Sequence, residues 1–338
     1  MNKRKLMAGV FLLLCMLAVD VSAHVPRESA DNTSLDTAYP IEDPLKSWVF
    51  YDDIAHVEQV RYYSFTMTAG QRIRASVFTP DGGSFAPWLV VMGPTFDISG
   101  PVFPNVELPD SYGALVYEGF KRGAEYEPFT PGAYYYTAEA DIVVSGNGTY
   151  YIAVASQDGT GPFGLALGYE ERYMPIEWVR VATDAIRIRI WEGKSLIEIF
   201  YPYVVAGIVL FGLAWKKMRE KTKTINAFMG ITLIVAALYC GSGLAVLHHC
   251  LVSVALAGVG PTVVVTLIFA ALPLVLGRAV YRLGWGRAST SVDRAVRVKL
   301  ALYGGLGLVV WAGLIAGPLI ALGGSMMPQG VLVTSSMS

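Results

Sequence analysis

Cysteine is nearly absent: three occur in 338 residues, and Cys15 falls inside an N-terminal segment patterned as an export signal. Only Cys240 and Cys250 are left for the mature chain, so no disulfide framework staples an exported domain, and its stability has to come from a packed core. If those two share one continuous helix, ten residues separate them by about 15 Å, beyond the roughly 4.4–6.8 Å Cα spacing of a disulfide. Charge is scarce too. Only 16% of residues are charged against 54% hydrophobic, and the mean hydropathy of +0.46 is too high for an ordinary soluble protein. Gly-x-Ser-x-Gly, His-Glu-x-x-His, a phosphate-binding glycine loop and a cysteine pair of zinc spacing are all missing, so the chain is not read as an enzyme. The apolar spans carry no ionisable residue at mid-length, which argues against an ion or proton transporter.

What is present runs in one direction. Lys3, Arg4 and Lys5 precede an apolar run from Leu6 to Val19, and Val21-Ser22-Ala23 matches a small-residue cleavage site. Residues 1–23 are therefore expected to be a signal peptide, and His24 the mature N-terminus. Residues 24–172 hold 20 acidic against 8 basic side chains, a formal balance of −12, which excludes nucleic acid as a partner.

Within that acidic stretch, 24–44 is polar and reads as an extended arm. Residues 45–172 read as a β-sandwich. Ser47–Asp53, Val60–Met67, Arg72–Thr79, Trp88–Gly93, Ala114–Glu118, Ala138–Val144, Thr149–Ser156 and Phe163–Tyr169 are rich in β-branched and aromatic residues. Arg72-Ile73-Arg74-Ala75-Ser76-Val77 alternates as a strand with one buried face does. Asp81-Gly82-Gly83, Asn147-Gly148 and Asp158-Gly159 are expected to supply the positive-φ positions of tight hairpins.

Asp31-Asn32-Thr33-Ser34, Tyr63-Ser64-Phe65, Ala69-Gly70-Gln71-Arg72-Ile73, Gly148-Thr149-Tyr150-Tyr151-Ile152-Ala153-Val154 and Gly164-Leu165-Ala166-Leu167 together resemble the bacterial pre-peptidase C-terminal domain over about residues 45–170. The resemblance implies a small jelly-roll-like β-sandwich that binds or spaces rather than catalyses. The segments between Gly93 and Ala114 and at Glu125–Phe129 depart from a minimal version of that domain. Tyr126, Phe129, Tyr134, Tyr135 and Tyr136 make a candidate aromatic platform for a surface glycan, with packing at the sandwich edge as the alternative.

Residues 173–195 form a juxtamembrane segment. Trp178, Arg180, Arg187, Arg189 and Trp191 suit an interfacial helix, while Ile186–Trp191 alternates strictly enough for a strand. Residues 196–323 read as four transmembrane helices: Leu196–Trp215, Ile225 to about Leu247, about Leu251 to Gly277, and Leu300 to about Leu322. Gly258-Val259-Gly260-Pro261 either kinks the third or forms the turn before it. Basic loops 216–224 and 278–299 are assigned to the cytoplasm, which places the sandwich outside and leaves 324–338 as a short outer tail. Gly313 and Gly317 offer close packing within the chain or a homodimer contact.

His24, with its free α-amine, and His248 and His249 near the outer membrane surface form a candidate copper or zinc site. The sequence thus points to a multi-pass cell-membrane protein that presents an extracytoplasmic β-sandwich as a binding, scaffolding or accessory-subunit module. Its expected partners are the bilayer and either a surface glycan or a membrane or surface protein. The alternative is metal handling centred on His24.

Overall fold

The computed structural model describes residues 24–29, 31–100, 105–221, 226–285 and 292–327. The expected signal peptide lies outside the described residues, as does the expected tail from residue 328 onward. Two compact units are present. The first holds the described residues up to Glu127, Gly132–Tyr173 and Ser253–Gly260, and the second holds Pro128–Pro131, Met174–Val252 and the described residues from Pro261.

The first unit is a two-sheet sandwich. Strands β1 (Val25–Arg27), β3 (Trp48–Ile54), β5 (Arg72–Thr79), β8 (Glu125–Glu127), β9 (Gly132–Val143) and β11 (Gly161–Leu167) form one sheet in the order β1-β3-β11-β5-β9-β8. Strands β2 (Tyr39–Ile41), β4 (Arg61–Met67), β6 (Trp88–Gly93), β7 (Gly113–Tyr117) and β10 (Gly148–Ala155) form the other in the order β2-β4-β10-β6-β7. All eight expected strands are present, and alternation places Ile73, Ala75 and Val77 of β5 in the core with Phe50, Tyr63, Tyr150, Ile152 and Leu165.

Two expectations need correction. The glycine turns are not hairpins. Asp81-Gly82-Gly83 leads from β5 to β6, Asn147-Gly148 from β9 to β10, and Asp158-Gly159 from β10 to β11, each joining strands of opposite sheets. Of their glycines only Gly159 has a positive φ, +130°. The extended arm is not separate from the sandwich either, because β1 and β2 add parallel edge strands to β3 and β4. Residues 31–38 and 105–112 then close the outer face of the five-stranded sheet: Leu35, Ala38, Leu108 and Tyr112 pack on Tyr62, Val90, Met92 and Ala153. Asn32, fully buried, donates to the Tyr62 carbonyl at 3.2 Å. The outer face of the six-stranded sheet is left as the open face.

The second unit is helical. Helix α1 (Pro175–Trp191) resolves the choice between helix and strand. Pro175 sits in its first turn, the Glu177 carboxylate accepts from the Met174 backbone N–H at 2.9 Å, and Gly193 at φ +79° ends it. Helices α2 (Leu196–Lys221), α3 (Ala227–Ala257) and α4 (Val263–Trp285) follow. All three are long and apolar enough to cross a membrane. Helix α3 runs 31 residues, through His248 and His249, so the turn comes at residues 258–262 and not at the histidines. Cys240 and Cys250 therefore share one helix, with no disulfide between them.

The fourth expected crossing is divided. Helix α5 (Arg294–Val309) and helix α6 (Ala316–Met326) are separated by residues 310–315. The two run antiparallel: Arg297 Nε donates to the Ser325 carbonyl at 2.7 Å, and a Cβ on Gly304 would lie 2.9 Å from Leu322. Met326 thus returns to the end of the bundle where α5 began. The turn holds Trp311 at φ +52° and Leu314 at φ +58°, left-handed conformations that cost a non-glycine residue about 1–2 kcal/mol each. Gly313, at φ +73°, donates its N–H to Ser242 Oγ at 2.7 Å. Gly313 and Gly317 both lie against the Tyr239 ring, so these glycines serve packing within the chain.

Candidate functional site

A groove of about 770 Å³ lies on the open face of the six-stranded sheet. Residues of β5, β9 and β11 line its floor, where Ser76 and Ala166 keep it low. Glu139 and Asp141 of β9, Glu125 of β8, Glu171, Arg74 and Tyr136 surround it, and His24 closes one side.

A bulge sets this arrangement. Along β5 and β9, Val77 pairs with Ala138 but Phe78 pairs with Tyr136, leaving Thr137 as the extra residue. Thr137 turns inward and donates its hydroxyl to the carbonyls of Pro87, at 2.8 Å, and Val77, at 3.2 Å. Beyond the bulge the alternation shifts by one, which brings Tyr134 and Tyr136 to the face that carries Glu139 and Asp141. Phe78 lies between them, with ring centroids 5.1 Å from Tyr134 and 5.4 Å from Tyr136. Its ring covers Gly164, where an added Cβ would come within 2.2 Å of it.

The groove is electronegative at neutral pH. Burial first, then the carboxylates of Glu127, Glu125 and Glu139, push the Tyr136 hydroxyl well above its ordinary range. Arg72 forms a two-pronged pair with Asp141 at the groove edge and holds that carboxylate below its ordinary value, chiefly through the hydrogen bond. Arg122 pairs with Glu139 at 3.0 Å. His24 is held neutral: burial, and secondarily Arg74, lower its pKa from 6.5 to about 4. Its Nδ1 lies 2.6 Å from Ser47 Oγ, and its carbonyl accepts from the Tyr173 hydroxyl at 2.8 Å.

The expected aromatic platform is not assembled as one surface. Tyr136 borders the groove and Tyr134 is buried against Phe78. Tyr135 points to the other face, where Lys121 Nζ lies 5.8 Å from its ring centroid. Tyr126 sits half-buried on β8. Phe129 belongs to the second unit, edge-on to Phe269 at 5.8 Å. The groove residues Arg74, Glu125, Glu139 and Asp141 were missed by sequence reasoning, although their alternation with core positions is visible once β5 and β9 are known to be neighbours.

The histidines of the second unit are adjacent on α3. His248 meets Tyr201 edge-on at 5.2 Å, and its ring lies 5.2 Å from that of His249. His249 is buried among the helices. Among the described residues, no group of three or more His, Cys, Asp or Glu side chains is placed to hold a metal ion.

No known family model matches the chain, and no curated protein matches it in sequence.

Proposed function

We propose that this chain is a multi-pass protein of the cell membrane whose β-sandwich stands outside the cytoplasm and binds a surface glycan in the groove over β5, β9 and β11. The observation that carries the reading is the bulge in β9, which sets the Tyr136 ring beside the carboxylates of Glu139 and Asp141, with Arg74 across the floor. Planar carboxylate and guanidinium groups take pairs of neighbouring hydroxyls, and a tyrosine face takes the apolar face of a pyranose. The resemblance to the pre-peptidase C-terminal domain supports a binding module rather than a catalyst. Basic side chains concentrated in residues 216–224 and 278–299 support a cytoplasmic position for that end of the bundle, with the sandwich opposite. On the same reasoning the α5–α6 hairpin returns residue 327 to the cytoplasmic side.

The test is a glycan screen on the full chain in nanodiscs, followed by calorimetric titration of the strongest binder. Tyr136→Ala and Glu139→Gln should each weaken binding at least about tenfold. Glu118→Gln, away from the groove, should leave it unchanged. Equal affinity in all three variants would remove the groove from the account.

Copper or zinc handling through His24, His248 and His249 is the second reading. One observation favours it: the His24 imidazole is neutral well below pH 7, so protons do not compete for its ring. A full chain that binds Cu²⁺ with equal affinity in wild type and His24→Ala would dismiss it.

A further inference from the structure

A second cavity, of about 100 Å³, lies inside the helical unit beside the 310–315 turn. Its walls are mainly apolar, with Thr130, Arg189, Tyr203, Ser242 and His249 as the polar members, and both left-handed non-glycine residues of the turn, Trp311 and Leu314, line it. Strained residues held in place by dense packing mark sites of use more often than accidents.

The packing here is dense. Trp311 Nε1 donates to the Trp178 carbonyl at 2.8 Å, while Trp178 Nε1 donates to the Val309 carbonyl at 3.0 Å. The Trp311 ring also stacks on Phe269, 4.9 Å between centroids and 11° from parallel. These contacts fix one wall of the cavity. Arg189 is the single charged residue on the wall, and it is already engaged: its guanidinium binds Glu192 at 2.7 Å and the Pro131 carbonyl at 2.7 Å. The cavity therefore offers shape and apolar surface rather than a free charge.

We propose that this cavity holds a terminal segment of an acyl chain from a bilayer lipid. Its volume is comparable to apolar cavities that stay dry and accept a small hydrocarbon, so a short stretch of methylenes fits and a whole lipid does not. The source is adjacent. Helix α2 lines the cavity with Ile199, Phe200 and Tyr203, while its Ile197, Val204 and Ile208 are 80%, 58% and 68% exposed and face hydrocarbon if α2 spans the bilayer. The inference rests on that reading of the helices, and not on the glycan groove.

The test uses the full chain in nanodiscs of phosphatidylethanolamine and phosphatidylglycerol, doped with a phospholipid that carries a diazirine at one acyl terminus. After irradiation, peptide mapping should find adducts at two places: on the outer residues Ile197, Val204 and Ile208, and on the cavity residues Trp311, Leu314 or Ala182. Ala185→Trp, which fills the cavity from α1, should cut the cavity adducts at least fivefold and leave the outer adducts unchanged. Ala245→Phe fills it from α3 and serves if the first variant does not fold. Outer adducts without cavity adducts, or cavity adducts that survive both substitutions, would overturn the proposal while leaving the membrane reading intact. Loss of the outer adducts as well would overturn both.

Discussion

At the scale of single residues, His24 makes the sharpest claim about the sandwich. Its pKa falls from 6.5 to about 4 on folding, so between those values the unfolded chain takes up a proton that the folded chain does not. Stability contributed by His24 is complete above about pH 6.5 and declines as pH falls toward 4, by up to about 3 kcal/mol for a fully desolvated ring and less for this half-buried one. Wild type should therefore lose more thermal stability than His24→Gln between pH 6.5 and 4.5. Parallel pH curves for the two proteins would show that the ring is not desolvated. Thr137 gives a second claim. Thr137→Val removes the hydroxyl that serves two buried carbonyls and should cost about 1–3 kcal/mol in chemical denaturation. It should also weaken binding in the groove, because the bulge that places Tyr136 is loosened. Neither role was legible in the sequence, where His24 reads as a metal-ligand candidate and Thr137 as an ordinary polar residue. Both depend on neighbours more than 20 positions away, Ser47 for His24 and Val77 for Thr137.

At the scale of elements, period-two alternation was enough to find eight strands, because each has one face in a core. It missed β1, β2 and β8, each only three residues long, whose few side chains show no period. It also misread the turns, since Asp-Gly and Asn-Gly favour a reversal without specifying which sheet the next strand joins. Hydropathy found the apolar helices for a similar reason and misplaced their ends: Gly258 and Pro261 were visible as a break, but the adjacent polar His248 and His249 mimicked one. The division of the last apolar stretch into α5 and α6 was hidden, because Trp311 and Leu314 carry no sequence sign of a left-handed turn. The glycines of α5 test that hairpin. A Cβ on Gly304 would lie 2.9 Å from Leu322 of α6, whereas one on Gly305 meets nothing within 4 Å. Gly304→Leu should lower the melting temperature in detergent, by the equivalent of about 1–3 kcal/mol for an overpacked contact. Gly305→Leu should leave it nearly unchanged. The reverse order would refute the α5–α6 packing.

At the scale of the molecule, the near-neutral total of −1 conceals two opposed halves. Residues 24–172 carry 20 acidic and 8 basic side chains, whereas residues 196–338 carry 11 basic and 3 acidic. Among the described residues of 196–338 the basic side chains gather at one end. Lys217 at the end of α2 lies 4.9 Å over the Tyr281 ring near the end of α4, and Val296 at the start of α5 joins the same core cluster as Tyr281. This distribution supports the proposed orientation, with the acidic sandwich outside and the basic rim inside. Side-resolved cysteine labelling of the full chain, with Cys240 and Cys250 replaced by alanine, tests it most directly. Glu171→Cys at the groove should react with an impermeant maleimide in intact cells. Arg287→Cys in the basic loop and Met327→Cys beyond α6 should react only after permeabilisation. An unreactive Glu171→Cys, or an Arg287→Cys labelled from outside, would contradict the extracytoplasmic binding module, and an externally labelled Met327→Cys would replace the hairpin with a single fourth crossing.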